Sequence, residues 1–127
     1  MSGLRVVLER DPPSYEPLEE VKGVASWELP EPPAAVEVRL FWYTSGRGDR
    51  DQDVVAVERQ ENPGPSGRLP FTLQLPQAPW TFSGQLVSLV WAVEVVLPEE
   101  NLAGDAELVM GPGGEEARVD GEPEEIS

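Results

Sequence analysis

Asp49-Arg50-Asp51-Gln52-Asp53 sets three carboxylates at alternate positions, the spacing with which a calcium loop converges its oxygens on one hard cation. A helix-loop-helix calcium site would continue with glycine at position 54 and glutamate at position 60, where Val54 and Gln60 stand. Asp49, Asp51 and Asp53 are thus candidates only for a calcium site at a sandwich tip, set against the plainer reading of a solvated hairpin end. The overlapping Arg47-Gly48-Asp49 spells the tripeptide that integrins read, but three residues recur by chance. Gly46 and Gly48 make no phosphate cradle, because no helical pattern follows them to supply an N-terminus.

Other routes to chemistry are narrowed by composition. The chain has no cysteine and no histidine, which removes thiolate metal sites, cysteine nucleophiles, the usual zinc ligand and the Ser/His/Asp triad. With this many acidic residues some carboxylates will lie close together, yet nothing in their spacing singles out an acid/base pair. No enzymatic activity and no cofactor are expected. The 9 basic and 24 acidic residues give a net charge of -15, which repels nucleic acid and anionic membrane alike.

Residues capable of binding need elements to hold them, and those elements read as strands. The 14 prolines and 12 glycines leave few windows long enough for a helix of about 11 residues. Seven segments bounded by Pro, Gly, Asn or Asp suit strands: residues 4–9, 21–29, 34–44, 53–60, 68–75, 84–97 and 106–110. In the third, Val36, Val38, Leu40 and Trp42 share one face and Glu37, Arg39, Phe41 and Tyr43 the other, so the first set is predicted to face the core. The fifth carries Leu69, Phe71, Leu73 and Leu75 on one face. The sixth is apolar on both, as a central strand would be. The 127 residues suit one core, with residues 1–111 as the sandwich and 112–127 as an acidic, disordered tail. The N-terminus lacks the apolar run of a signal peptide and no stretch approaches the ~20 residues that span a bilayer, so a cytoplasmic, non-inserted protein is expected.

The aromatics divide by phase. Trp42 and Trp91 fall on the core side of their strands, and Trp27 packs near the end of the second strand. Phe41 and Tyr43 fall on the outward side, while Trp80 sits in a loop beside Pro79 and Phe82. Phe41, Tyr43 and Trp80 are accordingly the candidates for a protein contact surface.

Two local patterns carry a resemblance. The first is Tyr15-Glu16-Pro17-Leu18-Glu19-Glu20-Val21-Lys22-Gly23, and the second runs from Phe71-Thr72-Leu73-Gln74-Leu75-Pro76 through Trp80-Thr81-Phe82-Ser83-Gly84 to Leu89-Val90-Trp91-Ala92-Val93-Glu94-Val95. In order and spacing they resemble the N-terminal β-sandwich of the arrestin-like superfamily, which includes the retromer cargo-binding subunit and bacterial sporulation-control proteins. Leu18 stands where that pattern carries glycine. The resemblance implies an all-β, immunoglobulin-like (arrestin-type) antiparallel β-sandwich of about seven strands. It does not bring phosphoreceptor recognition with it, because arrestins pair two such domains and offer basic residues to phosphate, whereas this surface is acidic.

Two functional expectations follow. One is a non-catalytic, arrestin-like interaction module that binds a protein partner or a second copy through a sheet face or an edge strand. The other is a small-ligand module that takes calcium or carbohydrate through residues 45–53 and 80–82.

Overall fold

The computed structural model describes residues 3–46 and 50–117. Nine strands follow in chain order: β1 (Leu4–Leu8), β2 (Ser14–Tyr15), β3 (Glu20–Glu28), β4 (Ala35–Gly46), β5 (Gln52–Glu61), β6 (Ser66–Gln74), β7 (Phe82–Ser83), β8 (Val87–Leu97) and β9 (Leu102–Met110). They form two sheets, one of order β1-β3-β6 and one of order β2-β9-β8-β4-β5, with β7 pairing β8 beside β9. The all-β sandwich expected from the sequence is therefore the observed architecture. All pairings are antiparallel except the short β2–β9 contact. No helix among the described residues is long and apolar enough to cross a membrane.

The seven predicted strands correspond to the seven long ones, with shifts at their ends. The last begins at Leu102 rather than at residue 106, because 102–106 pair with β8 from Leu97 back to Val93 despite having little apolar alternation of their own. The sixth begins at Val87 rather than at residue 84, since the Gly84 N–H turns back to the Val87 carbonyl at 2.9 Å. The two-residue strands β2 and β7 carry no periodicity and were not foreseen.

Period-two alternation decides the core. On β4, Val36, Val38 and Leu40 are fully buried and Trp42 is half-buried against the same cluster. From the facing sheet come Val21, Ala25, Trp27, Phe71 and Leu73, with Leu75 just beyond β6, all buried. β8 lies between β9 and β4 and buries residues of both phases, Trp91, Val93 and Val95 inward and Ala92 and Val96 outward. The Trp91 indole N–H donates to the Pro79 carbonyl at 2.7 Å, and that of Trp27 to the Gly64 carbonyl at 3.0 Å, so both large rings are buried without an orphaned donor.

The segment 15–23 shows how its residues were chosen. Pro17 and Leu18 occupy the centre of a turn closed by the Glu19 N–H on the Glu16 carbonyl at 3.2 Å, and Leu18 has φ 72°. A positive φ at the third residue after proline at the second is the type II arrangement, which favours glycine there. Leu18 thus adopts the backbone conformation for which the arrestin-type pattern keeps glycine. At Gly23 a Cβ would meet the Val7 carbonyl oxygen and lie 2.8 Å from Phe71 Cζ, so the backbones approach here as closely as only glycine allows. Past β9, Pro112–Gly114 form a single 3-10 turn and the Ala117 N–H donates to the Thr81 carbonyl at 2.7 Å. Residues 118–127 of the expected tail lie outside the described residues.

Candidate functional site

The outer face of the larger sheet is built by cross-strand register. One row reads Val54, Phe41, Ala92 and Glu107 across β5, β4, β8 and β9, and the next reads Val57, Arg39, Glu94 and Asp105. A third contains Gln52, Tyr43 and Val90. The Phe41 and Tyr43 rings stack with centroids 5.9 Å apart and planes inclined by 23°. Both rings are half-buried, while Val54 and Val57 beside them are 43% and 49% exposed. Phe41 and Tyr43 also wall an open depression of about 430 Å³, together with Thr44, Arg50, Asp51 and Gln52.

A register shift between Leu40 and Phe41 inserts one extra residue of β5 into its pairing with β4. Without that bulge, Val54 would fall on the opposite phase from Phe41; with it, Val54 and Val57 both flank the outward rows. The bulge therefore concentrates apolar side chains on a face that an antiparallel sheet usually leaves polar.

Charge is distributed unevenly over this face. Glu37 accepts from Arg39 Nε at 2.9 Å and pairs with Arg59, Arg59 also pairs with Glu61, and Arg39 reaches Glu94 at 3.6 Å. Burial raises the Glu37 carboxyl, but the two guanidinium groups outweigh it and hold the group below its ordinary range. Burial, with Asp105 nearby, pushes Glu94 up against the opposing pull of Arg39. Burial, then the Glu107 and Asp105 carboxylates, likewise pushes the Tyr43 phenol up. Among the described residues Asp105 and Glu107 make no ion pair, so negative potential collects on the β9 side of the stack.

The structure brings two of the three predicted contact aromatics together. Trp80 is separate: it is 37% exposed in the connection before β7, its indole N–H held by the Gln77 carbonyl at 2.8 Å. Since β7 and β4 flank β8 on opposite sides at Leu89, Trp80 lies across β8 from the stacked pair. Of the candidate calcium ligands, Asp51 and Asp53 are exposed at the start of β5, and Asp49 lies outside the described residues. Among the described residues no group of three or more His, Cys, Asp or Glu is placed to hold a metal.

Several participants were missed in the sequence. Val54, Val57, Val90, Asp105 and Glu107 join Phe41 and Tyr43 only through register between distant strands. A second cluster, also unforeseen, has the Arg10 guanidinium 4.4 Å above the Tyr15 ring and paired with Glu19 at 3.0 and 3.2 Å. These contacts fasten the loop after β1 to the Glu16–Glu19 turn.

Among solved structures the chain is similar to Spo0M, the sporulation control protein from Bacillus subtilis, with a TM-score of 0.58 at 16% sequence identity. The likeness covers 87% of this chain and 50% of that one, so the chain spans half the length of that structure. At this identity the likeness is one of fold, and it agrees with the arrestin-type sandwich implied by the two sequence patterns. No model of a known protein family matches the sequence, and no curated protein matches it.

Proposed function

We propose that this chain is an arrestin-type interaction module that performs no chemistry of its own and holds a protein partner on the outer face of its larger sheet, around Phe41 and Tyr43. The carrying observation is the stacked pair itself, set in register with Val54, Ala92 and Val90 on a face over which no further strand or helix packs among the described residues. Cross-strand pairing accounts for part of their contribution to the sheet, but Val54 and the two rings still offer apolar surface to solvent, and contact surfaces are enriched in aromatic residues.

The geometry favours this face over the sheet edges. Edge strand β6 carries Pro70, which has no N–H to offer an added strand, and edge strand β5 is interrupted by its bulge and ends in Glu58, Arg59 and Glu61. Both devices discourage edge-to-edge pairing. The edge strand β1 is only 5 residues long.

A photoreactive benzoylphenylalanine at position 43, compared with one at position 22 on the exposed side of β3, tests the reading. Irradiation in the native cytoplasm should yield a discrete protein adduct from position 43 and none from position 22. Absence of adducts at 43, or the same adducts from both positions, would overturn it.

A further inference from the structure

The kind of partner is written in the charges around the stack. Of the arginines near this face, Arg39 and Arg59 are already committed to Glu37, Glu61 and Glu94, while Arg50 stands beside Asp51 on the β5 side of the stack, away from β9. Asp105 and Glu107, whose charges act on the Tyr43 phenol, have no basic partner among the described residues. Glu107 shares a row with Phe41 across Ala92, whose small side chain is itself fully buried, so a ligand lies over ring and carboxylate rather than sinking between them. An aromatic face and a carboxylate about two strand spacings apart, roughly 10 Å, can both engage a single long cationic side chain lying over them, whose stem covers the ring while its head reaches the carboxylate.

We propose that the occupant of this face is a basic segment of a partner protein, which lays an arginine or lysine across the Phe41–Tyr43 stack toward the Glu107 and Asp105 carboxylates and packs apolar neighbours on Val54 and Val90. This rests on the reading of the face as a contact surface. Charge argues against the other occupants. A second copy would bring a chain of net charge -15 against its like, with Asp105 and Glu107 facing acidic rows, and an anionic lipid or nucleic acid would meet the same repulsion. Apolar stems of Arg and Lys suit a face that mixes rings and valines, since such side chains lie along apolar surface while their heads reach charge.

Calorimetric titration with an alternating arginine–leucine decapeptide, and with its glutamate–leucine counterpart, tests the assignment. The arginine peptide should bind and the glutamate peptide should not. The double variant Phe41→Ser/Tyr43→Ser leaves the net charge unchanged and should weaken the arginine peptide about tenfold. As a check independent of the half-buried rings, D105N/E107Q should weaken binding several-fold more than E20Q/E28Q, which removes the same charge from β3 in the smaller sheet. Equal weakening by the two charge variants, or an affinity indifferent to the ring substitutions in a folded protein, would mean diffuse attraction to an acidic surface and would overturn the proposal. If photo-adducts form at position 43 while these peptides fail, the contact face stands and its basic partner falls; if adducts are absent as well, both fall.

Discussion

Leu18 offers a clean measurement because a leucine occupies a position built for glycine. Its φ of 72° lies in the left-handed region, where an L-residue pays about 1–2 kcal/mol in contact between Cβ and the backbone. The turn has little freedom to relax. The Leu18 N–H donates to the Pro76 carbonyl at 3.3 Å, the Gln74 side-chain amide donates to the Leu18 carbonyl, and the Glu19 N–H closes on Glu16. Since the side chain is 58% exposed, part of its contact is still lost on truncation, so the comparison to make is between two truncations. L18A and L18G lose the same side-chain contacts and differ only in backbone terms. Glycine removes the strain of 1–2 kcal/mol but carries about 0.4–1 kcal/mol more unfolded-state entropy, leaving L18G more stable than L18A by roughly 0.5–1 kcal/mol. At an ordinary extended site the order reverses, and V7G in β1 should be less stable than V7A by a similar amount. Equilibrium urea unfolding, with equal slopes for each pair, reads both differences; in thermal melts the gap at position 18 corresponds to about 4 °C. If L18G proves less stable than L18A, the type II geometry at Pro17-Leu18 is wrong.

Other perturbations follow from single contacts. G23A should destabilise by about 1–3 kcal/mol, because its methyl group meets the Val7 carbonyl and Phe71, and urea unfolding should show this loss. The two carboxyls of the outer face should respond to pH with opposite signs. Glu94 is raised, so its favourable contribution is complete below the ordinary glutamate range and is lost as pH rises through its own value; relative to the parent chain, E94Q should gain stability from about pH 4 to pH 7. Glu37 is lowered, so its contribution is present above the ordinary range and lost as pH falls; the deficit of E37Q, about 1 kcal/mol at neutral pH, should shrink toward pH 3. Chemical denaturation at stepped pH distinguishes the two, and parallel profiles would refute the assignment.

The contact face and the turn differ in how far they could be read from residues alone. Alternation on β4 already put Phe41 and Tyr43 on the outward phase opposite Val36, Val38 and Leu40, because a strand's side-chain period is two whatever it pairs with. Pro17 and Gly23 likewise announce a turn and a close approach, since their backbone restrictions are local. Absence of cysteine and histidine excluded whole classes of site before any fold was known.

Tertiary structure decided everything that depends on register. Glu107 lies 66 residues from Phe41 in sequence (107 − 41), and only the pairing of β9 with β8 and of β8 with β4 puts them in one row. The bulge in β5 put Val54 in that row and on the same face as Val57 in the next, and a one-residue insertion of this kind has no signature in a valine-rich run. Trp80 shows the converse: its composition marked it as a contact residue, but the pairing of β7 with β8 set it across the strand from the stack. Residue type thus determined which side chains could bind, through local geometry, while long-range hydrogen bonding determined which of them stand together.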